Sequence, residues 1–436
     1  WSIFAQCCFD SGGGTLLCCK KKMFDIHIPE DDRLVLAALI AVGYLLYYLM
    51  RVVEKPNLVC RENSSWRDFL EQNITALQGH YWPTPWCFES RAQTLMASVL
   101  RRVSIPFIHY KREILPLKDG GEVCLDWLDD NQSDNRQSEH EDNCSERATV
   151  IILPGLTGCS QSDYVKSFVL AVQATEARCV VFNNRGRGGI QLKTARTYCA
   201  ANSDDLEEAI DHIRTKYPES PIIASGISLG GMILGNYLAT RKENAAEKLV
   251  AAMVLSIPWN VYVGTANLEK PMLNLWLNQH LAKCLCDSVE KMKNILGGPR
   301  RKWDLDHVLQ SKTVREFDTR FTAAQFGYAN VDEYYRSACL HDKLDNIKVP
   351  LLCLSAADDP FQPKEGIPLD AAEKSSHVAI ILTNRGGHIG FMEGLLPTKV
   401  NFSDRVYNQL ISSIINNMDS IDKIKKEANQ YAESKA

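Results

Sequence analysis

One serine in this chain is set for acyl chemistry by its neighbours. Gly226-Ile227-Ser228-Leu229-Gly230 places Ser228 between glycines two residues away on each side. A serine hydroxyl is a poor nucleophile at neutral pH. It needs a base to take its proton and a carboxylate to orient that base. The five-residue pattern arises often by chance, so its setting decides its value. It directly follows the strand-like PIIAS and opens the helix-like LGGMILGNYLAT. A sharp strand-to-helix turn there would lift the Ser228 side chain above the sheet, and the glycines would let the two backbones approach closely. The bland alternative is a tight turn with an incidental serine. Against it stand partners in a workable order. LLCLSAADDPFQP supplies Asp358 and Asp359 just past a late strand, and VAIILTNRGGHIGFMEG supplies His388 in the loop after the next one. Each alone could be a turn before Pro360 or a loop histidine satisfied by backbone, but serine, then acid, then histidine is a known chain order for such triads. Asp358, three residues past Ser355, is favoured as the acid, which leaves Asp359 to cap or brace the turn.

Acyl transfer also needs donors for the oxyanion of the tetrahedral intermediate. One is the backbone N–H after the nucleophile, that of Leu229. The other should come from the loop after the first strand of the alternation, Leu153-Pro154-Gly155-Leu156-Thr157-Gly158, where Leu156 is the candidate. The run Arg185-Gly186-Arg187-Gly188-Gly189 invites a phosphate reading, but lacks the G-x-G-x-x-G spacing and reads better as a bent loop lining the site.

The elements that must hold these residues are visible from Thr149 onward. TVIIL, CVVFNN, PIIASGIS, AAMVLSIP, VPLLCLSA and VAIILT are apolar runs of strand length. Helical stretches separate the first four, around 164–174, 204–217 and from about 229. Strands alternating with helices predict an α/β fold, a mostly parallel central sheet with helices on both faces. Between 258 and 345 the alternation stops in an aromatic-rich, helix-like stretch, expected to be a lid insertion. Phe317, Phe321, Phe326, Tyr334 and Tyr335 are its candidate lining residues. Val406, Leu410, Ile414, Met418 and Ile421 fall at helical spacing and predict one closing helix.

Leu34 to Met50, LVLAALIAVGYLLYYLM, is 17 residues without a charge, flanked by charges, with three tyrosines toward one end. That predicts one N-terminal transmembrane helix, a signal-anchor, with the bilayer as a partner. Basic residues lie on both sides, so orientation stays open. Asn63-Ser64-Ser65 and Asn73-Ile74-Thr75 are glycosylation triplets only if the bulk is lumenal. Cys7-Cys8 and Cys18-Cys19 read as free thiols in a tail. The expected division is a tail over 1–33, the anchor over 34–50 and a juxtamembrane segment over 51–110. A core over 111–257 and 346–436 follows, with the lid between its halves. Residues 129–147 hold seven acids and read as a solvated loop. With 49 basic against 53 acidic residues, the chain has no cationic field to attract nucleic acid, and none is expected as a partner. Fifteen irregularly spaced cysteines argue against a disulfide framework. No CxxC, HExxH or GxxxxGK occurs, so no metal or cofactor is expected.

Longer motifs carry a family resemblance. YWPTPWCFESRAQTL, LPGLTG, VVFNNRG, RTYCAANSDDLE, GISLGG, REFDTRFTAAQFGY, SAADDPF and GGHIGFMEG occur in that order over most of residues 55–400. The chain resembles the membrane-anchored α/β-hydrolase-domain lipases, the branch containing medium-chain phosphatidylcholine phospholipase and related bacterial and yeast esterases. The resemblance implies the α/β-hydrolase fold, a single-pass endomembrane enzyme with the endoplasmic reticulum as one candidate location, and Ser228, Asp358 and His388 as triad. It implies hydrolysis of acyl esters, above all in glycerophospholipids. The alternatives are an acyltransferase, a carboxylesterase or acylglycerol lipase using the same triad, and a silent lipid-binding protein. Some related hydrolases carry H-x-x-x-x-D, linked to acyl transfer, at the histidine. Here the stretch from His388 ends in Glu393, which argues against a dedicated acyltransferase.

Overall fold

The computed structural model describes residues 30–129, 146–397 and 400–433. The tail cysteine pairs and most of the acidic loop lie outside the described residues. The chain divides into two compact units, Trp1–Leu49 and Met50–Ala436. In the first, a helix over Glu30–Tyr47 leads into a π-helical turn over Tyr48–Val52. The stretch Asp32–Val52 is long and apolar enough to cross a bilayer. Its Leu34, Leu39 and Ile40 are exposed, as the side chains of a core helix would not be.

The second unit is built on a sheet of nine described strands: β1 (Asn57–Val59), β2 (Tyr110–Pro116), β3 (Glu122–Leu128), β4 (Thr149–Leu153), β5 (Arg178–Asn183), β6 (Ile222–Ile227), β7 (Ala251–Leu255), β8 (Leu351–Ala356) and β9 (Val378–Thr383). Their order is β1-β9-β8-β7-β6-β4-β5-β3-β2. Strands β4 to β9 are parallel; β1, β2 and β3 pair antiparallel at the two edges. The parallel strands read as unbroken apolar runs because both faces are covered. Alternate residues of β4 show it: Val150 and Ile152 enter one core cluster, Ile151 and Leu153 the other. All four are fully buried, each contributing about 1.5–3 kcal/mol by leaving water.

The order also places the site. From β4 the chain passes to β5 on one side, then returns to β6 on the other. Such a reversal opens a crevice at the carboxyl ends of the strands. The Ser228 turn leaves β6 there, and the Leu156 loop leaves β4.

Three expectations are corrected. Segment 51–110 is not merely juxtamembrane: β1 pairs with β9, and a helix over Ser90–Ser104 packs against the loop that carries His388. A three-residue edge strand is too short to stand out in sequence. The closing helix is two, Phe402–Asn416 and Met418–Glu433, broken at Asn417 while the apolar stripe runs on through Ile421. The core's first half, expected over 111–257, starts earlier, with β1 at Asn57. Residues 258–345 do lie between β7 and β8 as helices, the longest over Leu273–Lys291.

Candidate active site

Ser228 sits between the last residue of β6 and a helix over Leu229–Lys248, at φ +53° and ψ −119°. A side chain in that region costs roughly 1–3 kcal/mol, so the surroundings must hold it. They do so by hydrogen bonds and by contact. The Ser228 N–H donates to Leu255 O (2.9 Å), and Met232 N–H to Ser228 O (3.0 Å). A Cβ on Gly226 would stand 2.5 Å from Gly231 Cα, and one on Gly230 would stand 2.3 Å from Leu153 O. The glycines of the motif therefore let the elbow helix press against both β6 and the end of β4.

His388 closes the constellation. Its Nε2 lies 2.9 Å from Ser228 Oγ. Its Nδ1 lies 2.9 Å and 3.1 Å from the two carboxylate oxygens of Asp359. The carboxylate beside the imidazole is thus that of Asp359, where Asp358 was expected. Asp359 is fixed by a turn, its Oδ1 accepting the Phe361 N–H at 2.8 Å and its own N–H donating to Ala356 O. The side chain of Asp358 turns to the base of the His388 loop, where Oδ1 accepts the Gly387 N–H at 2.9 Å and Arg385 Nη1 lies 3.8 Å from Oδ2. Burial pushes the Asp358 carboxyl up to about 7. The turn that follows β8 aims these adjacent side chains at different partners, so a one-residue error in counting from Ser355 selects the wrong acid.

Two contacts from outside its own loop hold His388, one on its backbone and one on its ring. Thr94 Oγ1, from the Ser90–Ser104 helix, accepts the His388 N–H at 2.9 Å. The Phe361 ring stacks on the imidazole, with centroids 4.1 Å apart. Thr94 is 294 positions from His388, which leaves nothing local to read.

The loop after β4 has its amides assigned one by one. Gly155 N–H donates to Tyr164 Oη (2.9 Å), Thr157 N–H to Tyr198 Oη (3.2 Å) and Gly158 N–H to Gly155 O (3.0 Å). Cys159 N–H donates to Ser162 Oγ and Ser160 N–H to Asn183 Oδ1. Among the described residues this leaves the Leu156 amide without an acceptor, and the Leu229 amide, first in its helix, is in the same position. A buried N–H needs a partner. Both residues line the cavity that contains Ser228 and His388.

The comparisons with known proteins match this geometry. A model of the alpha/beta hydrolase fold matches residues 148–395. Phospholipase ABHD3 of Bos taurus and of Homo sapiens are each 40% identical over 375 residues, covering 86% of this chain and 88% of theirs. The chain belongs to the alpha/beta-hydrolase lipase family. Monoacylglycerol lipase ABHD2 of Danio rerio is more distant, 27% identical over 383 residues, covering 84% of this chain and 87% of its own.

In this hydrolase Ser228 and His388 line a cavity of about 420 Å³, mostly apolar. The insertion supplies much of the wall. Of the five aromatics expected there, Phe317, Phe321, Tyr334 and Tyr335 line it; Phe326 packs instead on the main core. Two carboxyls, Asp163 and Asp318, interrupt the apolar lining. Asp318 accepts a hydrogen bond from Tyr335 Oη (3.1 Å), and burial raises its pKa to about 6. The Arg185–Gly189 run is a bent loop with φ positive at all three glycines, but it does not line the cavity. It braces the hydrolase from behind: Arg185 pairs with Asp205 (2.6 Å) and Asp119 (2.8 Å). Arg187 donates to Thr157 O in the loop after β4 and to Ser288 Oγ (2.9 Å) in the insertion.

Proposed function

We propose that this chain is a membrane-anchored serine hydrolase that cleaves acyl esters of glycerophospholipids through an acyl-enzyme on Ser228. The reading rests on one observation: His388 bridges Ser228 Oγ and Asp359 inside a mainly apolar cavity. Ser228 attacks the ester carbonyl while His388 Nε2 takes its proton. Asp359 holds the imidazole in the right tautomer and stabilises the imidazolium. The Leu229 and Leu156 amides receive the oxyanion. His388 then protonates the leaving alcohol and activates a water that frees the acid.

The substrate class is supported by the ABHD3 relatives, named phospholipases, and by the apolar cavity. The apolar stretch Asp32–Val52 supports a single-pass N-terminal signal-anchor and an endomembrane location. Glu393, at the position where acyl-transferring relatives carry Asp, pairs with Arg405 at 2.6 Å and is not among the cavity-lining residues. That favours water over an alcohol as acceptor.

The test is labelling of the full chain by a fluorophosphonate probe, comparing wild type with Ser228→Ala, followed by a panel of phospholipids, acylglycerols and simple esters. Loss of labelling in Ser228→Ala with release of fatty acid from phospholipid is expected. Equal labelling of both proteins would overturn the nucleophile.

A further inference from the structure

The helix over Ser90–Ser104 is turned inside out for a soluble protein. It buries Gln93 and Arg101 on either side of the small Ala97, and exposes Leu95, Met96, Val99 and Val103, the last at 82%. Its inner side is committed to the loop that carries His388. Thr94 accepts the His388 N–H, Gln93 accepts the Met392 N–H (3.2 Å), and Arg101 donates to Ile389 O (2.8 Å) and Gly390 O (3.2 Å). Its outer side has no such duty, yet it is apolar.

That outer side borders the cavity. Of the residues lining the cavity, Leu95 and Ser98 on this helix and His280 on the Leu273–Lys291 helix are also exposed, so the mouth lies between the two helices. Arg91 Nε donates to Asn274 Oδ1 (2.8 Å) and ties them together. The second helix adds its own exposed Met272, Leu273 and Trp276, and Phe107 extends the first. Apolar side chains therefore flank the mouth on both sides, in a patch of a kind that marks an interaction surface.

We propose that this face rests on a lipid bilayer with the cavity mouth against the membrane, so that a lipid ester reaches Ser228 without crossing water. The substrate half of that statement rests on the hydrolase reading above. Three features choose lipid over protein as the occupant. The helix itself carries no Asp or Glu, and Arg102 is exposed on it beside the apolar residues. An apolar face with basic flanks suits a membrane interface. A protein seated on the same face would stopper the mouth. And the unit starts at Met50, within the last turn of the apolar stretch, so any bilayer that stretch crosses is held close by the chain itself.

The test uses the full chain in nanodiscs of phosphatidylcholine whose acyl chains carry a photoactivatable diazirine. Lipid adducts are expected on peptides spanning 95–107 and not on the helix over Asp204–Lys216. In parallel, the double variant Val99→Asp/Val103→Asp, at exposed positions outside the cavity, is assayed on phospholipid vesicles and on a water-soluble short-chain ester. Vesicle hydrolysis should fall at least about tenfold, because charge on an interfacial face opposes insertion, while the soluble ester is cleaved as by wild type. Equal rates on vesicles, or no adducts on 95–107, would overturn the docking and leave the hydrolase reading standing. Adducts with no fluorophosphonate labelling of Ser228 would do the reverse. Protein–protein cross-links at this face, in a dimer that the double variant dissolves, would assign it to a second copy of the chain and overturn the proposal.

Discussion

Asp358 is half-buried and the adjacent Asp359 buried, yet isosteric substitution should affect them in opposite ways. Asp359→Asn removes the charge under the imidazole and should lower kcat by about ten-thousandfold, the loss typical of such a triad. Asp358→Asn keeps an acceptor for the Gly387 N–H and should leave kcat within a few-fold of wild type. Its effect falls on stability. Burial raises the Asp358 carboxyl from 3.8 to about 7 in the folded chain. The folded state therefore holds this proton more tightly than the unfolded state does. Stability from this group is intact below about pH 4, declines as pH rises to about 7, and stays reduced above. Roughly three pKa units correspond to about 4 kcal/mol at most, less about 1 kcal/mol for leaving the new amide unpaired beside Oδ1. Asp358→Asn should thus be about 2–3 kcal/mol more stable than wild type near pH 8 and no more stable near pH 4.5. Urea unfolding at the two pH values, with turnover of a soluble ester, reads both quantities. Loss of turnover in Asp358→Asn with activity kept in Asp359→Asn would refute the assignment. A stability gain of equal size at both pH values would refute the buried-charge argument.

Three other outcomes follow from the site. Tyr198→Phe removes the acceptor of the Thr157 N–H; losing one hydrogen bond of about 1 kcal/mol should loosen the Leu156 amide and lower kcat about fivefold at constant KM on a soluble ester. Ser228→Gly and Ser228→Ala should both be inactive, but because of the φ of +53° at this position the glycine variant should be about 1–2 kcal/mol more stable in urea unfolding. Equal stability would mean that the elbow carries no strain. Leu281→Trp fills part of the cavity wall, so KM should rise for long-chain esters and stay constant for short ones in a graded ester series.

The parallel strands could be read from composition alone. TVIIL, AAMVL and VAIILT are covered on both faces, and a fully apolar run of that length has few other uses. Ser228 could be read because its motif is local: strand, turn and helix lie within a dozen residues. His388 followed from chain order. The choice between Asp358 and Asp359 did not, since it turns on which way one side chain faces after β8. The wall of the cavity was only half visible. Phe317 and Phe321 were found as aromatics in the insertion, while Tyr164 and Tyr198, which hold the loop after β4, lie in stretches that read as ordinary helix and loop.

The Ser90–Ser104 helix escaped for a more general reason. A helix is recognised by an apolar stripe that faces the core. Here the core side must serve a loop that cannot pair with itself. Ile389 at φ +64° and Phe391 at φ +46° turn the backbone out of any regular ladder. The loop's N–H and C=O groups are buried around His388, and each left unpaired would cost about 1–3 kcal/mol. Thr94, Gln93 and Arg101 meet four of them from one helix face. Polar residues are therefore required inside, where Ala97 is the buried apolar residue among them, and Leu95, Met96, Val99 and Val103 are left outside. In water alone that exchange gains nothing for Val99 and Val103. Against a bilayer both faces are satisfied at once, so the polarity that positions the catalytic imidazole and the apolar surface beside the cavity mouth belong to one arrangement.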